Sequence, residues 1–425
     1  MKRVLIVYHS FDEWEMGPIR LRRIARNLSA QGYQPVVLTS AVTSRSTGAV
    51  PPGVEVLRAK GFDLAELYRG IRGGKAAHAS GPKGGISRGI GITSIINRWL
   101  MVPDKQIPWK RAAIQLARDY LREHPVDLIF ASLAPRTNLL VAEALAREFK
   151  LPCVMEFRDL WTGSPYYHLT QPTPFHRWLH ARLERKAIGA ATRLSCVCRG
   201  LKDYLTAHYG DTLKQPIEVN YNFFDPSEYP PKVAPDNANT LVISYVGTMY
   251  VSRNPFSFFE GMRLFIDAHK LTPEQFRFEW AGAVLGIQGL EETLDRLRLG
   301  PYIKLIGQVR HDEALARLCQ SDASLIIQSP GDSTHIPGKL FEAMGARVPV
   351  FAVSEPCEVT EIIERTACGM IVSHDPAAIA AGLSRLWDIK SGRAPWNFNE
   401  SELVNFRADR AVGKLARLFD ATIGS

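Results

Sequence analysis

The sequence predicts an α/β fold built from two doubly wound domains. Short apolar segments alternate with helical patterns in the first half of the chain, and this alternation is typical of a parallel sheet covered on both faces. The stretch 225–240 interrupts the alternation with four prolines and few apolar residues, so we interpret it as an interdomain linker. The alternation then starts again. A chain of 425 residues has room for about two to three domains.

Each predicted strand is a short apolar run, and each predicted helix has apolar residues three or four positions apart. In the first domain we predict strands at 4–8, 36–39, 54–57, 127–132, 153–157 and 194–198. Its helices are a stretch through Ile19, Arg23 and Leu28 that ends before Gly32, then 108–123, 137–149 and 175–188. In the second domain we predict strands at 242–246, 276–280, 302–306, 323–328, 348–353 and 370–373, and helices at 256–268, 290–297, 312–319, 339–343 and 358–365.

The predicted domain boundaries follow from these elements. The first domain is residues 1–228 and the second is residues 229–398. A last helical segment runs from about 402 to 419, after Pro395. We expect this C-terminal part, 399–425, to cross back to the first domain.

Composition places the chain among globular proteins. It is 46% hydrophobic and 22% charged, and no apolar run approaches the roughly 18 residues of a spanning helix. The apolar run 4–8 after Lys2 and Arg3 is too short for a signal-peptide core. Six cysteines form neither a CxxC pair nor a zinc-binding spacing. We therefore expect a reducing, cytoplasmic location.

Positive charge is concentrated in one glycine-rich segment. Residues 58–111 hold eleven Lys or Arg against three Asp or Glu, which accounts for most of the net charge of +9. Eight glycines between Gly70 and Gly91 suit a loop, and an amphipathic helical stripe follows it, formed by Ile92, Ile95, Ile96, Trp99 and Leu100. The segment contains no nucleic-acid-binding motif, so we expect no nucleic-acid partner. Two interpretations stay open: the stripe and charges contact an anionic membrane, or the stripe packs on the domain core and the charges are solvated.

Most motifs that name a cofactor are absent from the sequence. There is no GxGxxG for a dinucleotide, no P-loop, no HExxH and no DxD carboxylate pair. Two α/β domains nevertheless place helix N-termini at the carboxyl ends of their strands, where phosphate binds well. A phosphorylated ligand is expected on that ground.

One cluster in the second half narrows this expectation. Pro337 and Gly338 open a helix after a buried strand, and their free N–H groups could cradle a diphosphate. Lys339 sits in the first turn, where a cation is unfavourable to the helix dipole unless an anion is bound. Glu342, one turn later, could accept two hydrogen bonds from a ribose diol. A solvated Lys and Glu on an ordinary helix is the alternative.

The segment from Ile336 to Val350 resembles the nucleotide-sugar signature of glycosyltransferase family 4, whose members have the GT-B fold. Further landmarks occur in the family's order: Gly17, Pro125 to Ile129, Glu156-Phe157-Arg158-Asp159-Leu160-Trp161, Asn222 to Asp225, Tyr245-Val246-Gly247-Thr248, and Ile306 to Val309 with His311 and Glu313. The run from Glu156 to Trp161 resembles the RDLW motif of a bacterial surface-polysaccharide subgroup. The resemblance covers nearly the full chain.

The resemblance implies a donor site in the second domain. Glu342 would bind the ribose and Val309 would frame the base through its backbone. The diphosphate would lie among Gly247, Thr248, Arg253, Lys339 and the helix start at Gly338 and Leu340. The donor would be a UDP- or GDP-type sugar, with no other cofactor, no metal and retention of anomeric configuration. The family's first glutamate is replaced by Thr334, for which His335 or Asp332 could substitute.

The resemblance also implies an acceptor side in the first domain. Arg158 and Asp159 occupy the place of a family histidine and are the candidate catalytic residues. Asp159 would orient the acceptor or steady positive charge at the sugar carbon, unless it only pairs with Arg158 or caps a turn. Candidate acceptor-side residues are Gly17, Trp161, Arg72, Lys75 and Trp99.

These features favour a glycosyltransferase that uses a glycan, glycolipid or polyprenyl-linked acceptor. It would work in the cytoplasm or on the inner face of the plasma membrane. Two other functions stay open: a nucleotide-sugar 2-epimerase, which needs paired acid and base groups around the sugar, and a non-catalytic sugar-nucleotide or membrane-binding module.

Overall fold

The computed structural model describes residues 1–13, 16–41, 49–61, 99, 101–163, 173–231, 239–392 and 395–425. Arg72, Lys75 and most of the basic segment 58–111 therefore lie outside the described residues. The chain divides into two compact units. Unit 1 comprises Met1–Val197, Leu205–Val219 and Lys414–Ser425, and unit 2 comprises Cys198–Tyr204 and Asn220–Gly413.

Unit 1 is a parallel α/β layer. Its strands are β1 (Lys2–Val7), β2 (Tyr33–Ser40), β3 (Glu55–Ala59), β4 (Leu128–Leu133), β5 (Cys153–Phe157), β6 (Arg193–Cys196) and β7 (Ile217–Val219). The accompanying helices are α1 (Met16–Leu28), α2 (Trp109–Glu123), α3 (Thr137–Phe149), α4 (Pro174–Ile188) and α5 (Arg199–Tyr209), whose first part, up to Tyr204, belongs to unit 2. The strands pair in parallel in the order β3-β2-β1-β4-β5-β6-β7.

Apolar burial holds this sheet between its helices. All six residues of β4 are buried, as expected for a central strand with helices on both faces. Helix α2 buries Trp109, Ala113, Ala117 and Leu121, which recur every four residues and form one apolar stripe.

Unit 2 repeats this arrangement. Its strands are β8 (Leu241–Val246), β9 (Met249–Tyr250), β10 (Phe276–Ala281), β11 (Val284–Leu285), β12 (Ile303–Leu305), β13 (Ala323–Ile327), β14 (Val350–Val353) and β15 (Gly369–Val372). Its helices are α6 (Phe256–His269), α7 (Leu290–Arg296), α8 (His311–Cys319), α9 (Gly338–Ala346), α10 (Glu358–Thr366), α11 (Pro376–Ser391), α12 (Glu400–Leu403) and α13 (Ala408–Ile423), whose end belongs to unit 1. The main sheet is parallel, in the order β12-β10-β8-β13-β14-β15, and β9 pairs with β11.

The two sheets share one topology. In each, the first strand of the unit lies centrally and the order reverses beside it, between β1 and β4 in unit 1 and between β8 and β13 in unit 2. Ligands of such sheets bind at these switch points, outside the carboxyl ends of the strands. The predicted class, two doubly wound Rossmann-like sheets, is confirmed.

One predicted element differs from the structure. The sequence predicts a single helix near 402–419, but α12 and α13 are separate, and Arg407 between them is extended. The break occurs because the backbone pairs elsewhere: Phe224 N–H donates to Phe406 O at 3.0 Å, and Ala408 N–H donates to Phe224 O at 2.8 Å. A helical period does not reveal such a long-range pair.

Candidate functional site

The switch point of unit 2 gathers most of the predicted donor residues. Gly247 and Thr248 directly follow β8, while Thr334 and His335 lie in the loop between β13 and α9. Gly247 has a φ of +114°, and a Cβ there would lie 3.1 Å from Lys339 Cε and 3.3 Å from Lys339 Nζ. A glycine at this position therefore lets the Lys339 side chain pass close to the backbone after β8.

Lys339 lies in a setting that disfavours its charge. Its Nζ is 4.0 Å from the centroid of the Tyr245 ring, and Tyr245 Oη donates to Thr248 O at 3.1 Å. Burial, followed by the charge of Arg253, lowers the pKa of Lys339 to about 7, and Glu342 only partly opposes this. Two cations thus share a partly buried site, and an anionic ligand would relieve their repulsion.

The loop before α9 is held by its own hydrogen bonds. Gln328 Nε2 donates to Asp332 O at 3.1 Å and to His335 O at 3.0 Å. Asp332 Oδ1 accepts from the backbone N–H and the hydroxyl of Thr334, at 3.1 and 3.3 Å. Arg253 Nη2 lies 3.0 Å from His335 Nδ1, which accepts if the ring carries its proton on Nε2. The loop therefore places His335 against Arg253, a candidate diphosphate-binding residue. It also keeps Thr334 turned toward Asp332.

Glu342 lies one turn into α9 and is only 5% exposed. Its Oε1 is buried without a hydrogen-bond partner among the described residues and lies 3.7 Å from His311 Nδ1. On its other side, His311 Nε2 lies 3.6 Å from Glu228 Oε2. A buried carboxylate oxygen that lacks a donor matches a ligand with hydroxyl groups.

The remaining predicted donor residues take different places. Val309 is partly exposed in the loop just before α8. Gly338 begins α9, and no acidic residue lies in the first turn of that helix. Leu340 is fully buried, and its N–H donates to Pro337 O at 3.1 Å, so its side chain contributes to the core.

Sequence reasoning missed Glu228. It lies in a short 3-10 turn, Pro226–Glu228, within the stretch interpreted as a linker. Its proximity to His311 arises from tertiary structure, and no local motif announces it.

The switch point of unit 1 holds Arg158, directly after β5. Its Nε donates to Ser132 Oγ at 2.9 Å and to Leu133 O at 2.8 Å, and its Nη2 donates to Tyr8 Oη and Ala134 O, both at 3.0 Å. Burial alone would lower the pKa of Arg158, but Tyr8, Asp159 and Glu156 raise it above its ordinary value. The guanidinium is therefore charged and fixed in orientation.

Gly17 is the other predicted residue at this point. A Cβ on Gly17 would lie 2.4 Å from Tyr8 Oη and 2.6 Å from Arg158 Nη1. Only glycine leaves room for the guanidinium against the first turn of α1.

Asp159 and Trp161 differ in exposure. Asp159 is exposed, beside Arg158. Trp161 is fully buried, and its Nε1 donates to His180 Nδ1 at 3.0 Å, so in this structure its indole packs inside unit 1. Burial, followed by the charges of Arg136 and His176, lowers the pKa of His180 to about 4, which leaves the ring neutral and able to accept.

Trp99 belongs to an exposed aromatic group on unit 1. It is 47% exposed, and its ring meets the His176 ring edge-on at 5.3 Å. Phe175 and Trp178 on α4 are exposed as well, and their rings stack at 5.8 Å. We call Trp99, Phe175 and Trp178 the aromatic patch.

Metal-binding clusters and membrane-spanning helices are both absent from the part of the chain that the structure describes. No cluster of three or more His, Cys, Asp or Glu there could hold a metal ion. None of the described helices is long and apolar enough to cross a membrane.

Many solved structures share this fold at low identity. Sucrose-phosphate synthase from Thermosynechococcus elongatus has a TM-score of 0.66 and 12% identity, with 100% of both chains covered. WaaG, a glycosyltransferase involved in lipopolysaccharide biosynthesis, has a TM-score of 0.59 and 14% identity, again with 100% of both chains covered. A putative UDP-N-acetylglucosamine 2-epimerase from Listeria monocytogenes has a TM-score of 0.56 and 12% identity, covering 99% of this chain and 96% of that one. These likenesses show the fold and leave the reaction open.

Family models decide the reaction class. The model "Glycosyltransferase Family 4" matches residues 19–228, and the model "Glycosyl transferases group 1" matches residues 241–388. The chain belongs to the GT-B glycosyltransferases. No curated protein matches it. For this glycosyltransferase, the switch-point site of unit 2 and Arg158 of unit 1 lie within the matched segments, whereas Tyr8 and Gly17 precede the first of them.

Proposed function

We propose that this glycosyltransferase transfers a sugar from a nucleoside-diphosphate sugar to a glycan, glycolipid or polyprenyl-linked acceptor. The observation that carries the donor assignment is the proximity of two cations, Lys339 and Arg253, to a buried Glu342 oxygen that accepts no hydrogen bond from the described residues. The two cations suit a diphosphate, and the carboxylate suits a ribose diol about one helical turn away.

The chemistry follows from where charge develops. As the bond between the sugar and the diphosphate breaks, negative charge grows on the leaving phosphate. Lys339, Arg253 and the N–H groups at the start of α9 stabilise that charge without reorganising, the kind of contribution that usually dominates such catalysis. Metal-independent transfer is proposed because these groups supply the positive charge. Retention of configuration is proposed from the resemblance to family 4.

Asp159 is proposed to face the sugar or the acceptor. Its exposure beside the fixed Arg158 supports this role, since a carboxylate there is free to orient a hydroxyl group or oppose positive charge at the sugar carbon. Thr334 and His335 are proposed to approach the sugar from the donor side in place of the family's first glutamate.

Binding of a donor is measured first by thermal shift with UDP-, GDP- and TDP-sugars, with and without EDTA. A ligand at a hundredfold excess over its Kd stabilises the folded state by about 2.7 kcal/mol. We expect one nucleotide class to stabilise the protein regardless of EDTA. Glu342→Gln should weaken this donor about tenfold, since a hydrogen bond to a charged group contributes about 1.5–3 kcal/mol.

The matched control is Glu355→Gln, which removes an exposed carboxylate in the same unit. Equal affinities of the two variants, or no shift with any nucleotide sugar, would contradict the donor site. A product assay with the stabilising donor then tests transfer, and the anomeric coupling constant of the product reports retention or inversion.

We also propose peripheral contact with an anionic membrane on the cytoplasmic side, where a lipid-linked acceptor would be available. Helix α4 supports this contact because its polarity is reversed: His176, His180 and Glu184 are buried, whereas Phe175 and Trp178 are exposed. Arg182 lies 5.6 Å from the Trp178 ring, so positive charge adjoins the aromatic patch. Aromatic rings flanked by basic residues are typical of membrane-surface helices.

A further inference from the structure

A buried charge network lies behind Arg158 in unit 1. Glu156 is fully buried in β5, and Arg20, on α1 and 2% exposed, donates to its Oε1 at 2.6 Å. Ser132 Oγ donates to Glu156 Oε2 at 2.8 Å. Burial alone would raise the pKa of Glu156, but the guanidinium groups of Arg20 and Arg158 and the Ser132 hydroxyl together outweigh it and hold the pKa below its ordinary value. The carboxylate is therefore charged.

This network fixes the direction of one hydrogen bond to Arg158. Because the Ser132 hydroxyl proton points at Glu156, the Ser132 oxygen is left to accept from Arg158 Nε. The same edge of the Arg158 guanidinium donates to three more acceptors, which are the carbonyl oxygens of Leu133 and Ala134 and the hydroxyl of Tyr8. Four acceptors thus clamp Nε and Nη2 of Arg158. They lie in β4 and in the residues that directly follow β1 and β4.

The clamp leaves Nη1 available. No described residue accepts a hydrogen bond from Nη1, and Arg158 as a whole is only half-buried. Charge points the same way, because two guanidinium groups, those of Arg20 and Arg158, act on the one buried carboxylate of Glu156.

We infer that Arg158 Nη1, at the switch point between β1 and β4, binds a phosphoryl oxyanion of the acceptor. Tyr8, Ser132, Glu156 and Arg20 act as positioning residues, since they touch Arg158 or one another, and Gly17 keeps the space for the guanidinium open. The inference rests on the proposed function for the existence of an acceptor. It adds the acceptor's chemical class, a phosphate or diphosphate ester such as a lipid diphosphate.

The test uses the full chain with inorganic pyrophosphate and, separately, a short soluble prenyl diphosphate. Backbone hydrogen exchange is followed in segments 16–20 and 132–138 of unit 1. Both probes are expected to slow exchange there. Arg158→Gln should weaken both by about tenfold or more, since it removes a charged hydrogen-bond donor. Arg158→Lys, which keeps the charge without the planar fork, should fall between.

Two further variants separate positioning from folding. Tyr8→Phe removes one acceptor of Nη2 and keeps the ring, so the unfolding temperature should hold while the prenyl diphosphate binds several-fold more weakly. In a transfer assay its KM for the acceptor should rise with an unchanged KM for the donor. Gly17→Ala fills the gap and should abolish protection of unit 1 by either probe, which decides the matter if Arg158→Gln does not fold.

Several results would overturn the inference. They are protection that persists in Arg158→Gln or Gly17→Ala, protection by pyrophosphate but not by the prenyl diphosphate, and no protection of unit 1 by either. The donor thermal shift in unit 2 is measured on the same variants. A retained donor shift with lost acceptor protection would leave the proposed function standing, whereas a missing donor shift in the wild type would refute that function separately.

Discussion

At the scale of single residues, the protonation of Lys339 gives the most direct test of the donor site. Its folded pKa of about 7 lies below the ordinary value of 10.5. Between these pH values the unfolded chain binds more protons than the folded one, so the free energy of unfolding rises with pH, by at most about 1.4 kcal/mol per pH unit. Below about pH 7 Lys339 is protonated in both the folded and the unfolded chain. Its contribution to the pH dependence of the free energy of unfolding therefore ends there.

A bound diphosphate should reverse the effect, because its negative charge favours the protonated Lys339. We therefore expect the donor sugar to bind with uptake of close to one proton at pH 8. Calorimetric titrations in two buffers of different ionisation enthalpy measure this uptake. Lys339→Met should lose it, whereas Lys304→Met, which removes an exposed lysine of the same unit, should keep it. Uptake that survives in Lys339→Met would place the titrating group elsewhere.

The same scale shows how far residue patterns lead. Lys339 and Glu342 could be singled out because their positions relative to a helix start are visible in the sequence. Glu228 could not be singled out in this way, and neither could the Arg20–Glu156 pair. That pair joins residues 136 positions apart in the sequence. Such partners depend on which strand ends meet, and only the folded sheet specifies that.

At the scale of elements, the contact between α6 and α11 offers a prediction about packing. A Cβ on Gly261 in α6 would lie 2.5 Å from Ile379 Cγ2 and 2.8 Å from Pro376 O, both part of α11. Gly261→Ala should therefore force the helices apart and destabilise the protein by about 1–3 kcal/mol, less the gain of about 1 kcal/mol in helix propensity.

Thermal or urea unfolding measures this change. Gly300→Ala is the control, because a Cβ on Gly300 would meet no atom within 4 Å. If Gly261→Ala proved as stable as Gly300→Ala, the two helices would have to lie farther apart than in this structure.

The helices and strands also show which elements can be predicted from sequence periodicity and which cannot. The predicted helix at 312–319 and strand at 153–157 match α8 and β5 closely, because each is a compact apolar pattern. The two-residue strands β9 and β11 carry no pattern of their own, and their pairing depends on the approach of separate loops. The break at Arg407 is likewise set by pairing with Phe224.

At the scale of the whole molecule, the fold could be predicted because both halves repeat one alternating pattern, whereas partners on the surface could not. The sequence predicts an amphipathic stripe at Ile92 to Leu100, for which membrane contact and packing on the core both stay open. Of this stripe, Trp99 alone lies within the described residues. The structure adds Phe175 and Trp178 from α4, whose exposure contradicts the usual burial of aromatic residues. In an amphipathic helix the apolar side chains are expected on the buried side. In α4, however, the buried side carries histidines and a glutamate.

The aromatic patch and the net charge of +9 together predict binding to anionic vesicles. We expect the protein to sediment with vesicles that contain phosphatidylserine, to bind phosphatidylcholine vesicles weakly, and to dissociate as salt screens the charges. The double substitution Phe175→Ser and Trp178→Ser should weaken this binding about tenfold, because two apolar side chains no longer enter the interface. Leu264→Ser with Leu305→Ser removes two exposed apolar side chains of unit 2 and should change little. An equal loss of vesicle binding in both double variants would mean that binding depends on general surface polarity. Unchanged binding in the Phe175 and Trp178 double variant would assign the contact to charge alone.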